Sequence, residues 1–182
     1  MFTATPAVAE LQYEIEAHSI RLQGADSTHE EIIRLLDCKQ LSDADPVLAA
    51  VNARGVFDLD ETREFRFPTV LDKDGSVMEW GDKTLGRSLS GVLTKHAEDF
   101  ELQLDYSEVS KKGDTIFEFD SGLIASQPVF SVCECMPTSV LVKADRWYLL
   151  NLVGAQEKPR HYLAVRIRKA ARSQQGSGQN RD

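Results

Sequence analysis

The apolar residues of this chain change their spacing near Val56, and that change limits the folds open to it. Before Val56 they recur every three or four residues; beyond it they mostly alternate with polar neighbours. The first spacing puts side chains on one stripe of a helix, the second on one face of a strand. Val8, Leu11, Ile15, His18 and Leu22 form such a stripe and predict a helix that opens at Pro6 and ends at Gly24. Ser27 with Glu30, or Thr28 with Glu31, reads as a capping box for a second helix carrying Ile32, Ile33, Leu35 and Leu36. Asp43 or Asp45 with Pro46 predicts a short third helix through Val47, Leu48 and Val51, stopped near Gly55.

Phe65 and Phe67 then alternate with polar residues, and Pro68 indicates an edge strand. Asp72-Lys73-Asp74-Gly75 is a turn, from which Val77-Met78-Glu79-Trp80 returns as a strand. Leu85, Leu89, Val92, Leu93 and His96, closed by Phe100, read as one more amphipathic helix, weakened by Gly86 and Gly91. The rest reads as antiparallel strands. Phe100, Leu102, Leu104 and Tyr106 share one face, Lys111–Asp114 turns the chain, and Thr115–Asp120 follows. Val129–Met136 and Thr138–Lys143 are expected as two strands interrupted by Pro137, with a tight turn at Ala144-Asp145. Arg146–Val153 is apolar on both faces and is expected in the middle of the sheet, with Tyr162–Lys169 as the last strand. Helices, a hairpin, a helix and consecutive strands make an α+β fold: an N-terminal helical segment packed on an antiparallel β-sheet, with a disordered basic C-terminal tail. The expected division is a single α+β domain over 1–172, with 1–55 helical and 56–172 forming the sheet with one helix. A flexible tail, 173–182, follows it.

Charge is segregated along the chain. Residues 1–157 hold 14 Lys and Arg against 28 Asp and Glu, a net of −14, whereas 158–182 hold 7 against 1, a net of +6. A basic end on an acidic body calls for an acidic partner: nucleic acid, an acidic protein, or the body itself. On the last strand the even positions Arg160, Tyr162, Arg166 and Arg168, continued by Arg172, share one face, while Leu163, Val165 and Ile167 share the other. Guanidinium forks bind phosphate and a ring stacks on a base, so this row is the candidate binding surface, extended by Arg181. The competing expectation is pairing of the row with acidic residues on a neighbouring strand.

The remaining constellations are weaker. Cys133 and Cys135 sit on one side of a strand, yet zinc needs four ligands; the only other cysteine, Cys38, is in a predicted helix, and nothing in the spacing demands His161 as a further ligand. Asp72, Asp74 and Gly75 begin like a calcium loop, but Val77 and Lys83 stand where glycine and glutamate are required. Asp58, Asp60, Glu61 and Glu64, with Asp72, offer carboxylates for a metal-dependent enzyme without a converging acid, base and pocket. His18 and His96 lie on apolar stripes, and His29 falls in a helix first turn. Trp80 and Trp147 are either core or interface anchors. Three cysteines without framework spacing, no apolar run of membrane-spanning length, and an N-terminus without a signal-peptide pattern predict a cytoplasmic protein with reduced thiols.

The function expected from these residues is a non-enzymatic binding protein or complex subunit, without cofactor or metal. It would contact nucleic acid or an acidic protein through Arg160, Tyr162, Arg166, Arg168 and Arg172. The first alternative is a protein-directed inhibitor or assembly component that docks its acidic surface on a basic, nucleic-acid-binding partner. The second is the metal-dependent enzyme on Asp58, Asp60, Glu61 and Asp72.

Overall fold

Tyr13, Ile15, Ala17 and Ile20, expected on a helix, lie on a strand. The computed structural model describes residues 13–22, 28–37, 46–72, 74–120, 124–154 and 160–170. Strands dominate: β1 (Tyr13–Leu22), β2 (Val47–Ala50), β3 (Val56–Leu71), β4 (Val77–His96), β5 (Asp99–Glu118), β6 (Ile124–Val142), β7 (Trp147–Asn151), β8 (Val153–Gly154) and β9 (Arg160–Lys169). The one helix among the described residues is α1 (His29–Asp37). The expected fold, a helical segment packed on a sheet, is therefore corrected to two antiparallel sheets that carry a single short helix. One sheet has the order β2-β1-β9-β7, the other β3-β4-β5-β6-β8. Pro6–Leu11, Cys38 and the tail 173–182 lie outside the described residues.

The two sheets enclose the main core. Ile15 and Ala17 of β1, Val47 and Ala49 of β2, and Leu163, Val165 and Ile167 of β9 meet Phe57, Leu89, Leu102, Leu104, Tyr106 and Cys135 of the larger sheet. On the outer face of the smaller sheet, Ile20, Trp147, Tyr162 and Ala164 receive Ile32 and Leu36 of α1. Burying an aliphatic side chain fully is worth about 1.5–3 kcal/mol, so Ile32 and Leu36 anchor the helix. The cap of α1 is Thr28, whose Oγ1 accepts from the Glu31 N–H at 3.2 Å. Both faces of the smaller sheet are thus covered, and on β1 the strand alternation of Tyr13–His18 competes in the sequence with the helix-like spacing of Ile15, His18 and Leu22.

Two other expected helices are strands for a definite reason. Leu85, Leu89 and Leu93 are four residues apart, a spacing that suits one helix stripe and also one face of a strand. On β4 all three face the core, and the Phe57 ring lies across Gly91 between them, where a Cβ would meet it at 2.7 Å. Val47 and Ala49 alternate inward in the same way on β2, while Leu48 points out. The helix over 85–100 and the helix at 47–51 do not form.

Turns and breaks were also displaced. Asp72–Ser76 turns as expected: Asp72 Oδ1 accepts from the Asp74 and Ser76 N–H groups at 2.9 and 2.8 Å, and Gly75 has φ 82°. Lys111–Asp114 does not turn; β5 runs through it with a bulge between Lys111 and Gly113. Pro137 does not end a strand, because β6 absorbs it in a bulge opposite Leu104–Tyr106. The apolar stretch expected to be central is split, and β7 is an edge strand of the smaller sheet. Its two apolar faces reflect the layers on either side: Trp147 and Leu149 meet the helix layer, Tyr148 and Leu150 the core.

Candidate functional site

β9 is an interior strand, paired with β1 along its whole length and with β7 from Tyr162 to Arg166. The parity read from the sequence holds, so Tyr162, Arg166 and Arg168 share the face away from the core. Arg160 opens the strand opposite Leu22, and Arg172 lies outside the described residues. What the sequence did not place on that face is α1 and the acidic residues of β1. Tyr162 is only 6% exposed, under α1, with its ring edge-on to His29 at 5.6 Å. Arg166 faces Glu16 across the ladder and donates to Glu16 Oε2 from Nη2 at 2.7 Å and from Nε at 3.2 Å. Its guanidinium also lies 4.3 Å from the Trp147 ring. Arg168 faces Glu14 and donates to its Oε2 at 3.1 Å, with Nη1 3.5 Å from Glu16.

Glu16 is the centre of this network. Burial pushes its carboxyl up, but hydrogen bonds from Arg166 and His18 and the charges of Arg166 and Arg168 outweigh that and hold it below the ordinary value. Trp147 Nε1 donates to Asp37 Oδ1 at 3.0 Å, tying the end of α1 to the same face. The guanidinium groups of Arg166 and Arg168 are therefore occupied within the protein, and the expected stacking ring is covered.

The other candidate groups do not converge on chemistry. Cys133 and Cys135 are buried free thiols on β6. Arg21 Nε donates to His161 Nε2, which leaves the ring proton on Nδ1, 3.0 Å from Cys133 Sγ. Burial, then the charge of Glu108, pushes the Cys133 thiol up, while burial and Arg21 push His161 down. That favours neutral thiol and neutral imidazole, the reverse of an activated nucleophile. Among the described residues no three His, Cys, Asp or Glu side chains are grouped to hold a metal. Asp60 lies on β3 and Asp72 just past its far end, 12 positions on, roughly 40 Å at ~3.3 Å per residue. Glu61 is engaged by Arg87 at 2.6 Å and Glu64 by Thr84 at 2.8 Å. His96 is exposed beside Glu101, and His18 has its ring 5.2 Å from Trp147.

A feature the sequence reading missed is a pair of arms. Pairing of β4 with β5 stops at Gly86–Val109, where Gly86 has φ 124° and a Cβ would meet Glu61 O at 2.2 Å. Beyond that point β3–β4 and β5–β6 continue as separate two-stranded ribbons. They touch through Phe65 and Phe67, stacked at 5.9 Å, against Phe130 at 6.2 and 5.4 Å, with Lys111 5.5 Å from the Phe65 ring. Their outer parts expose large apolar groups: Met78 (67%), Val77 and Trp80 on one arm, Ile116 (69%), Phe117 and Phe119 on the other. The aromatic and β-branched runs Val77–Trp80 and Ile116–Phe119 were visible, but the strand length that carries them clear of the core was not.

No helix among the described residues is long and apolar enough to cross a membrane. No family model matches this chain, and neither a curated protein nor a solved structure shows significant similarity to it.

Proposed function

We propose that this chain is a non-enzymatic assembly component that docks its two arms on a basic, partly apolar protein surface. The observation that supports this reading is the concentration of exposed Met78, Trp80, Ile116, Phe117 and Phe119 on ribbons that project past the core. Isolated two-stranded ribbons are marginal in water, and exposed apolar patches mark interaction surfaces. Covering them would gain roughly 25 cal/mol per Å² of apolar area. Beside them lie the carboxylates Asp74, Glu79 and Asp120, while Asp82 and Asp114 are paired within the arms with Arg66 at 4.0 Å and Lys111 at 2.9 Å. A partner with Lys or Arg around an apolar groove complements both properties. Contact of nucleic acid or an acidic protein with β9 draws less support, because Arg166 and Arg168 already hold Glu16 and Glu14. The proposed compartment is the cytoplasm, a reading supported by the free thiols Cys133 and Cys135.

The test is affinity capture from source-cell lysate with wild type, Trp80→Ser/Phe117→Ser and Glu79→Lys/Asp82→Lys proteins, each checked for folding by circular dichroism. The reading expects a retained protein that both variants lose about tenfold or more, a difference of ~1.4 kcal/mol, and that salt weakens. The purified partner should carry a Lys- or Arg-ringed apolar footprint. Equal capture by all three proteins, or an acidic or nucleic-acid partner insensitive to the arm changes, would overturn it.

A further inference from the structure

At the end of the molecule opposite the arms, the loop between β2 and β3 closes a cleft of about 440 Å³ between the two sheets. That is within the usual size of a small-molecule site, ~300–1,000 Å³. Its apolar wall is Tyr13, Val51, Leu93 and Phe100, with the Tyr13 and Phe100 rings edge-to-face at 5.0 Å. Its polar rim carries Arg54 and Lys95. The loop is built rigidly from both sheets. Val51 N–H donates to Tyr13 O at 2.9 Å on one side, and Leu93 N–H donates to Gly55 O at 2.7 Å on the other. Asn52 Oδ1 accepts from the Arg54 and Val56 N–H groups at 2.9 and 3.0 Å. Gly55 has φ 80°, and a Cβ there would lie 2.3 Å from Leu93 O, so the close approach depends on glycine.

Among the described residues that line the cleft, the charged ones are Arg54 and Lys95. Lys95 stands opposite Phe100 in the β4–β5 ladder and two residues after Leu93, which places it on the core-side face. The neighbouring carboxylates Asp99 and Glu101 alternate to the other face. There Asp99 is 3.8 Å from Lys143, and Glu101 accepts from Ser139 at 2.7 Å and lies 3.2 Å from His96. Among the described residues neither Arg54 nor Lys95 is in an ion pair. In a chain of net charge −8, two cations at the mouth of an aromatic cleft with no carboxylate among its described lining residues are matched to an anion from outside.

We infer that this cleft binds a small organic anion whose apolar body, about the size of one ring, lies against Tyr13 and Phe100 while its charged group meets Arg54 and Lys95. Arg54 supplies a fork for a carboxylate or phosphate, and Lys95 a point charge.

Nuclear magnetic resonance titration of the full chain tests this, read at the backbone amides of Asn52–Gly55 and Leu93–Lys95. The probes are benzoate, phenyl phosphate, benzamide and inorganic phosphate. Benzoate or phenyl phosphate should give saturable shifts confined to these amides, and the two separate a carboxylate from a phosphate preference. Benzamide should bind about tenfold more weakly, and Arg54→Gln/Lys95→Gln should weaken the anions by a similar factor, ~1.4 kcal/mol. Both substitutions are on exposed side chains, so unchanged spectra elsewhere verify the fold. No saturable shift for either organic anion at about 10 mM, affinity for benzamide equal to benzoate, or anion binding unchanged in the variant would overturn the proposal. So would inorganic phosphate binding as tightly as phenyl phosphate.

Discussion

Arg166 shows how one neighbour decides what a charged residue is for. Its position on the outward face of the last strand was readable from parity, but its meaning depended on β1 lying alongside, which puts Glu16 opposite it. Removing one partner would leave the other half-buried and uncompensated. Glu16→Ala should therefore cost about 1–3 kcal/mol in chemical unfolding, and Arg166→Ala a comparable amount, while the double change costs less than the sum. The carboxyl of Glu16 also links stability to pH. Its folded value is depressed from 4.5, so its contribution is present above that pH and is lost as pH falls through the folded value. Urea midpoints measured from pH 6 downward should fall with acid in wild type and fall less steeply in Glu16→Gln; identical slopes would contradict the network. Cys133 gives a second check at this scale. With its thiol pushed up and buried, it should react with a disulfide reagent far more slowly in the folded protein than after unfolding.

The strands of the larger sheet depend on a few glycines whose roles differ. Gly91 has no room for a methyl group: a Cβ would lie 2.0 Å from Gln103 O and 2.7 Å from the Phe57 ring. Gly91→Ala should destabilise by about 2–4 kcal/mol in thermal or chemical unfolding. Gly113, at the β5 bulge, has nothing within 4 Å of that position, and Gly113→Ala should change stability by less than about 0.5 kcal/mol. Gly91 also explains why β4 was misread. A glycine between Leu89 and Leu93 breaks the alternation that would mark a strand, and the remaining leucines fit a helix equally well. The β3–β4 hairpin was legible because Asp72-Lys73-Asp74-Gly75 fixes its turn locally. Helix α1 was legible because Thr28 and the run Ile32–Leu36 are local signals. β7 was not, since burial on both faces removes the polar half of a strand pattern, and β1 was not, since Ile15, His18 and Leu22 fit a helix stripe as well as Tyr13–His18 fit a strand. The layers that bury them come from distant parts of the chain.

At the scale of the whole molecule, two sheets and a short helix bury the basic strand and leave two ribbons outside the core. The charge segregation seen along the sequence is therefore partly cancelled in three dimensions, Arg166 by Glu16 and Arg168 by Glu14. The exposed apolar groups Met78, Ile116, Phe117 and Phe119 lie on the arms, beside the carboxylates Glu79 and Asp120. Nucleic-acid affinity should accordingly be weak: anisotropy of labelled single- and double-stranded probes should show no saturable binding at physiological salt, and tight salt-sensitive binding would reinstate β9 as the working face. The most direct measurement is hydrogen–deuterium exchange of the protein with and without its captured partner. The account predicts new protection concentrated in 65–71, 77–83 and 115–120, with 162–169 unchanged. Protection confined to 162–169 and α1, with the arms exchanging as in the free protein, would contradict it.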